Sequence, residues 1–256
     1  MLSKAKIKLI QSLEHKKKRR EEQLFVAEGP KVVGDLLPYF ACRLIAATPT
    51  WIAKHPEAKA DEIIEVTPDE LRKASFLKAP QEVIALFNLP IATNSPNVPA
   101  QELCLALDDI QDPGNLGTII RLADWFGIKH IYCSIGTTDA FSPKTVQASM
   151  GAVARVCVHY VHLNKFLTEV RTSYPMVPLY GTFLEGKNIY NEPLSNNGII
   201  IMGNEGNGIS AIIEKSVTHK LFIPNYPEGC ITSESLNVAI ATAITCSEFR
   251  RRKTTL

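Results

Sequence analysis

The segment Gly198–Gly208, which reads GIIIMGNEGNG, contains both features from which the fold is predicted. Its first five residues are almost entirely apolar, as in a strand that is buried on both faces of a parallel sheet. The next six include Gly203, Gly206 and Gly208, which let a backbone turn sharply or approach a ligand closely. In open parallel sheets, ligands bind beyond the carboxyl ends of the strands. We therefore expect an α/β fold with a binding site directly after this strand.

Strands and helices are predicted to alternate along the rest of the chain. In the second half, apolar runs predict strands at 103–109, 129–134, 155–161, 177–182, 198–203 and 219–223. Helical patterns lie between them at 115–126, 142–149, 163–173, 208–216 and 235–249. The first half has predicted strands at 24–28, 43–47, 62–66 and 82–87, with helices at 29–37 and 68–76. Such alternation is typical of α/β domains.

Residues 90–101 are predicted to be a linker. The stretch PIATNSPNVPA at 90–100 holds three prolines and has no periodic apolar pattern. This divides the chain into an N-terminal domain at 1–92, which begins with a basic helix at 1–22, and a C-terminal domain at 102–256.

Composition excludes several classes of protein. Hydrophobic residues make up 45% of the 256 residues and charged residues 21%, as in a soluble globular protein. No apolar run approaches the ~20 residues needed to cross a bilayer, so no membrane partner is expected. The six cysteines form no Cys-x-x-Cys pair and have no matching histidine spacing. This pattern favours reduced thiols in a cytoplasmic protein over a zinc site or disulfides, and we expect no metal.

Charge is concentrated at the two ends of the chain. Residues 1–20 carry eight Lys or Arg residues and one Glu, and residues 250–253 are all basic, although the whole chain has a net charge of only +2. Basic ends on an acidic body suit a protein that contacts a polyanion. A solvated helix would have the same composition. A mitochondrial presequence fits less well, because those segments favour Arg and Ser whereas this one is mostly Lys.

Two further loops of the second half follow predicted strands. Residues 108–121, DDIQDPGNLGTIIR, lead from a strand into a helix whose N-terminus offers free N–H groups. Residues 221–224, LFIP, end another strand, and the turn after them leads to a helix that begins SLNVA at Ser235. Each loop alone also fits a capped helix, and the first fits a Rossmann-type nucleotide turn that lacks its third glycine.

Together, in this order, the three loops resemble the signature of the SpoU/TrmH family of RNA ribose 2′-O-methyltransferases, within the SPOUT superfamily. The matching residues are Asn115, Gly117-Thr118, Arg121, Ala123 and Gly127, then Gly203 to Gly208, then Ile223-Pro224 and Ser235 to Val238. The resemblance covers residues 103–249. The stretch from Arg19 to Gly29 is similar to the family's N-terminal substrate-binding domain, a ribosomal-protein-like α/β RNA-binding fold.

The resemblance implies a C-terminal α/β-knot domain, in which the end of the chain threads through a loop, and a homodimer formed through that domain. It implies S-adenosylmethionine as cofactor. The cofactor-binding residues it indicates are Met202, Gly203, Asn204, Gly206, Ile223, Pro224, Ser235, Leu236 and Asn237. The turn at 225–233 is longer than the Pro-Met-x-Gly turn usual in the family, a departure that bears on the cofactor contacts of this loop.

Methylation of a ribose 2′-hydroxyl requires that the oxygen be aligned with the methyl donor and that its proton leave. The resemblance assigns the central role to Arg121, with Asn115 orienting Arg121 or the ribose. A guanidinium is a poor base because its pKa lies above ~12. We therefore expect a phosphate of the bound RNA to assist proton transfer while Arg121 positions phosphate and hydroxyl. The remaining polar residues expected around the reaction are Glu205, Ser235 and Asn237.

RNA is the expected partner, and the separate N-terminal domain favours ribosomal RNA over transfer RNA. The residues predicted to contact RNA are Lys17, Lys18, Arg19, Arg20, Lys31 and Arg121. Two other functions remain open from the sequence. One is an RNA-binding or ribosome-assembly factor that has the same fold without turnover. The other is a dinucleotide-dependent Rossmann enzyme.

Overall fold

The computed structural model describes residues 1–91, 96–227, 230, 233 and 235–251. Part of the predicted linker (92–95), four residues of the long turn (228, 229, 231 and 232) and the basic residues 252 and 253 lie outside that range. The chain forms two compact units, one of Met1–Ile91 with Asp139–Arg155 and one of Ala92–Thr138 with Val156–Leu256. The first unit thus contains a segment that the predicted domain bounds assign to the C-terminal domain.

The described residues form ten strands and ten α-helices. The strands are β1 (Leu24–Glu28), β2 (Cys42–Ala47), β3 (Glu62–Glu65), β4 (Val83–Asn88), β5 (Leu103–Leu107), β6 (His130–Ser134), β7 (Cys157–Val161), β8 (Leu179–Asn188), β9 (Gly198–Met202) and β10 (His219–Phe222). The helices are α1 (Lys4–Ser12), α2 (Lys16–Glu22), α3 (Pro30–Leu36), α4 (Pro49–Lys54), α5 (Pro68–Ala74), α6 (Pro113–Trp125), α7 (Pro143–Ser149), α8 (Leu163–Ser173), α9 (Ala211–Glu214) and α10 (Val238–Arg251). Every predicted strand is present.

The first unit is built on a four-stranded sheet in the order β1-β4-β2-β3. β4 runs antiparallel to β1 and β2, whereas β2 and β3 are parallel. Helix α7, from the second half of the chain, packs against β1, and Phe141 just before it places its ring 4.9 Å from that of Phe25. These apolar contacts explain why the segment at 139–155 belongs to this unit.

The basic N-terminal segment is two helices and not one. Leu13 ends α1 and is fully buried, and His15 precedes α2. Arg19 fixes the break, because its guanidinium donates to the carbonyl oxygens of Leu13 and Glu14, both at 2.7 Å. The single predicted helix at 1–22 is therefore wrong.

The second unit is built on a six-stranded, fully parallel sheet in the order β10-β8-β9-β5-β6-β7. All residues of β5 and β9 are buried, as their apolar sequences predict. Helix α10 packs against α6. The predicted α/β class is confirmed. In the described part of the chain, no helix has the length and apolar character that a bilayer span requires.

Two elements differ from the prediction for local reasons. The helix predicted at 208–216 is reduced to α9, because Ser210 donates its backbone N–H to Asp108 at 2.8 Å and Asn204 pairs with Gly208. These bonds hold the preceding residues as a loop. Helix α4 was missed, although Thr48 accepts from the Trp51 N–H and Pro49 occupies the first turn, both ordinary helix-start signals.

Two histidines lie side by side at one edge of the parallel sheet. His130 Nδ1 and His159 Nε2 are 3.0 Å apart, and the ring of His159 stacks on that of Tyr132. His159 is 4% exposed, and its Nδ1 has no hydrogen-bond partner among the described residues. Burial, with a smaller contribution from His130, lowers the pKa of His159 from 6.5 to about 4. His159 is therefore neutral at physiological pH.

This burial predicts a pH dependence of stability. The unfolded chain binds a proton at His159 below its ordinary pKa of 6.5, whereas the folded chain binds it only below about 4. Stability is therefore complete above that upper value and is lost as the pH falls through this window, by about 3 kcal/mol for this residue. Urea unfolding at several pH values should show a smaller acid loss in His159→Phe than in wild type. The exposed His162→Gln variant is the control, and an unchanged acid loss in His159→Phe would contradict the assignment.

Candidate active site

The loops after β5 and β9 meet at the carboxylate of Glu205. Its oxygens accept the backbone N–H groups of Gln111 at 3.2 Å and Asp112 at 3.3 Å. They also accept Nδ2 of Asn115 at 3.0 Å. One carboxylate thus holds both the turn that leads into α6 and a side chain from the first turn of that helix.

Asn115 extends the connection to the loop after β10. Its Oδ1 accepts Nδ2 of Asn237 at 3.0 Å. The Oδ1 of Asn237 in turn accepts the backbone N–H groups of Ala239 at 2.9 Å and Ile240 at 3.3 Å, so Asn237 caps α10. A continuous chain of hydrogen bonds, Glu205–Asn115–Asn237, therefore joins all three loops. The sequence predicted that these loops lie at one edge of the sheet, and the structure places them there.

The carboxylate of Glu205 is kept ionised. Burial raises its pKa, but the hydrogen bonds from Asn115 and from backbone N–H groups outweigh burial, so the pKa lies below its ordinary value. Its oxygens receive three hydrogen bonds from the turn after β5 and the first turn of α6. Glu205 therefore organises the site and is a poor candidate for a general base or acid.

The glycine-rich loop after β9 is shaped by its own backbone. A Cβ on Gly203 would lie 2.1 Å from the carbonyl carbon of Gly208, so only glycine fits there. Asn204 uses its side chain within the loop region, donating to the Asp109 carbonyl at 2.7 Å and accepting the N–H groups of Gly206 and Asn207. Asn204, predicted to bind the cofactor, thus serves as scaffold in this structure.

The groups predicted to receive S-adenosylmethionine lie toward β9 and β10. Met202 is buried beneath the glycine-rich loop, and Ile223 and Pro224 follow β10 half-buried. The backbone N–H groups of Ile223 and Leu236 donate to no other described residue. The side chain of Leu236 is 48% exposed. Backbone donors without a described partner and an exposed apolar side chain are groups that can hold a nucleoside.

Arg121 lies on the exposed side of α6, six residues beyond Asn115. Its side chain makes no hydrogen bond or ion pair to any residue that the structure describes. The Asn115 amide is hydrogen-bonded to Glu205 and Asn237. Its expected role in orienting Arg121 or the ribose stays a prediction. Ser235 is also exposed.

The residues predicted to bind RNA in the first unit are not equivalent. Lys17, Arg20 and Lys31 are exposed, and Lys31 pairs with Asp35 at 2.9 Å. Lys18 is bonded to Glu21, which raises the pKa of the lysine. A cavity of about 460 Å³ is lined by Lys16, Lys17, Arg20 and Glu21.

The prediction that Arg19 contacts RNA is wrong. Its side chain is 3% exposed and pairs with Asp139 at 2.7 Å, in addition to its bonds to two backbone carbonyls. A phosphate cannot reach it, so Arg19 is a structural residue.

The sequence reasoning missed a fourth loop at 134–138, after β6. Gln111 Nε2 donates to the Gly136 carbonyl at 3.0 Å, and the Asp109 N–H donates to Ser134 Oγ at 2.9 Å. A glycine two residues after the end of a predicted strand, Gly136, was the available signal. Within the described residues no group of three or more His, Cys, Asp or Glu could hold a metal ion.

The model of the SpoU rRNA Methylase family matches residues 102–247, more than half of the chain. The chain belongs to this family. Residues 4–85 match the MRM3-like substrate binding domain. The SpoU/TrmH resemblance drawn from the three loops is thereby confirmed.

One relative and two solved structures match nearly the whole chain. The 23S rRNA (guanosine(2553)-2′-O)-methyltransferase RlmP of Bacillus subtilis is 30% identical and is matched over 96% of each chain. A TrmH-family protein from Porphyromonas gingivalis is 43% identical with a TM-score of 0.89, covering 98% of this chain and 99% of that one. The AdoMet-bound rRNA methyltransferase of Sinorhizobium meliloti is 30% identical with a TM-score of 0.84, covering 98% and 97%.

The hydrogen-bond chain of this SpoU domain gives a stability prediction. Asn115→Ala removes the hydrogen bonds that its amide makes with Glu205 and Asn237, which should lower the free energy of unfolding by about 1–2 kcal/mol. Urea denaturation measures this. The exposed Asn191→Ala variant serves as control, and equal stability of the two variants would argue against the chain of bonds.

Proposed function

We propose that the protein transfers a methyl group from S-adenosylmethionine to a ribose 2′-hydroxyl in ribosomal RNA. The observation that carries the proposal is the Glu205–Asn115–Asn237 chain of hydrogen bonds, which brings the three family motifs into one site. Ribosomal RNA is favoured because the relative matched along 96% of both chains is named for 23S rRNA. Transfer RNA is the alternative substrate.

The predicted cofactor residues fit S-adenosylmethionine. The backbone N–H groups of Ile223 and Leu236 would hold its polar groups, and the Leu236 side chain would contact the adenine ring. When bound, this cofactor supplies a methyl group on a positively charged sulfur. The exposed Asn237 and Ser235 lie beside this region in the chain and would line it.

The remaining steps are positioning of the RNA and removal of the proton from the 2′-hydroxyl. Arg121 has no internal partner among the described residues, so its guanidinium is available to bind an RNA phosphate and orient the 2′-hydroxyl. It does not take the proton, because its pKa is above ~12. Glu205 does not take the proton either, because its carboxylate accepts hydrogen bonds that join its own loop to the turn after β5. The RNA phosphate remains the proposed proton acceptor.

The exposed lysines and arginine of the first unit, Lys17, Lys18, Arg20 and Lys31, would contact RNA phosphates. Such contacts give affinity without sequence information and weaken as salt increases. The match of residues 4–85 to a substrate binding domain supports this assignment.

Transfer of labelled methyl from S-adenosylmethionine to unmodified ribosomal and transfer RNA, followed by digestion to nucleosides, tests the function. Label in a 2′-O-methyl nucleoside is expected. Arg121→Ala should lower methyl transfer by about 100-fold or more while the Kd for S-adenosylmethionine stays nearly unchanged, because only positioning of the RNA is lost. The exposed Arg171→Ala variant should retain activity. Turnover by Arg121→Ala at the wild-type rate would refute its role, and no label in either RNA from the wild-type chain would favour a binding factor without turnover.

A homodimer through the second unit is also proposed. Ile240 on α10 is 53% exposed and Trp125 on α6 is 84% exposed. A cavity of about 370 Å³ nearby is lined by Phe126, Tyr190, Ala243, Ile244, Ser247 and Glu248. Large exposed apolar side chains on two packed helices are typical of protein interfaces.

Sedimentation equilibrium should therefore give twice the mass of one chain. Ile240→Glu should shift the protein toward monomer, because a charge would be buried against the partner copy. Exposed Ile63→Glu, on β3, is the matched control. A wild-type monomer at micromolar concentration would contradict the dimer.

We also propose a knotted fold for the second unit and a cytoplasmic location for the protein. The α/β-knot of the second unit is supported by membership of the SpoU family. A cytoplasmic location is proposed from the cysteine pattern of the sequence alone.

A further inference from the structure

The loop at 134–138, here called the β6 loop, is fixed to the turn that precedes α6. The Thr138 N–H donates to the Ile110 carbonyl at 2.8 Å, and the Asp109 N–H donates to Ser134 Oγ at 2.9 Å. Gln111 Nε2 completes the connection by donating to the Gly136 carbonyl at 3.0 Å and to Asp109 Oδ1 at 2.8 Å. Three consecutive residues of that turn, Asp109, Ile110 and Gln111, therefore hold the β6 loop through hydrogen bonds.

The fit between the two loops is close. Asp109 has a φ of +62°, which is uncommon for a residue with a side chain. A Cβ on Gly136 would lie 2.2 Å from Asp109 Oδ1, so a larger residue there would have to displace the Asp109 side chain. Thr137 is 1% exposed and donates to the Leu107 carbonyl at 3.3 Å. The β6 loop is therefore held on its inner side by both backbone and side-chain bonds.

Ile135 stands at the outer side of this fixed loop. Its neighbours in the chain, Ser134 and Gly136, carry the bonds just described, yet Ile135 itself is 54% exposed. An isolated exposed isoleucine is ordinary on a protein surface. Here, however, it lies on an immobilised loop that is bonded to the same turn as Glu205, through Gln111.

The order of strands in the sheet shows on which side of the site the β6 loop lies. In the order β10-β8-β9-β5-β6, the loops after β9 and β10 carry the predicted cofactor residues. The β6 loop lies on the other side of the turn after β5. A group bound against the β6 loop would therefore reach the predicted catalytic turn from the side away from the cofactor.

We infer that the β6 loop forms the wall that receives the substrate nucleotide, with Ile135 in apolar contact with its base and Gln111 as the positioning residue that holds the loop. RNA bases that are splayed out of a helix pack their faces on apolar or aromatic side chains, which is the contact Ile135 offers. This inference rests on the proposed function, because it names how the same site binds RNA.

The test compares two isoleucines of equal exposure. Ile212, on α9, is also 54% exposed and lies on a helix that packs against α8. Ile135→Asp and Ile212→Asp change the net charge equally. Ile135→Asp should raise the KM for ribosomal RNA about tenfold and Ile135→Ala about fivefold, while the Kd for S-adenosylmethionine and kcat at saturating RNA stay near wild type. Ile212→Asp should leave all three values unchanged.

Gln111→Leu tests the positioning role, since it keeps the size of the side chain and removes its donors. It should raise the KM for RNA more than it lowers kcat, and Gln111→Asn should restore part of the loss. Equal KM values for Ile135→Asp and Ile212→Asp, with an active wild-type enzyme, would overturn the inference alone. A wild-type chain that neither binds RNA nor transfers methyl would instead overturn the proposed function, and the inference with it.

Discussion

The candidate site depends on one carboxylate that is shared between two loops. Glu205 follows β9, yet the groups it accepts belong to the turn and first helical turn after β5. Backbone N–H groups at such a turn need acceptors, and an ionised carboxylate is a strong one. Asn115 passes the connection on to Asn237 and hence to the start of α10. The parallel sheet brings the three loops near one another, and these bonds set their relative positions.

This arrangement determines which groups are left for chemistry. The polar atoms of Asn115 and Asn204 are used to hold loops, and the pKa of Glu205 is lowered by the bonds it accepts. Arg121 is the cation of the motif that has no partner among the described residues, and a guanidinium orients anions without accepting protons. The site therefore suits the proposed positioning of an RNA phosphate and ribose, and in this proposal a group of the RNA itself accepts the proton.

The sequence was sufficient for elements whose environment is simple. Apolar runs such as the one at β9 predict buried parallel strands, and glycine-rich turns after them predict a site at the carboxyl edge. Long-range partners could not be predicted. The burial of Arg19 requires Asp139, which is 120 residues away in the chain. The shortening of α9 requires Asp108, 102 residues before Ser210. The role of Asn115 as a bridge depends on two partners from different loops.

Amide hydrogen exchange in wild type and Glu205→Gln measures the central claim most directly. A glutamine of the same size loses the charge and one acceptor oxygen. If Glu205 holds the three loops together, backbone amides of 111–116, 203–208 and 237–240 should all exchange faster in the variant, while those of β5 and β9 stay protected. Faster exchange confined to 203–208 would contradict the account, because the loops would then be positioned independently of one another.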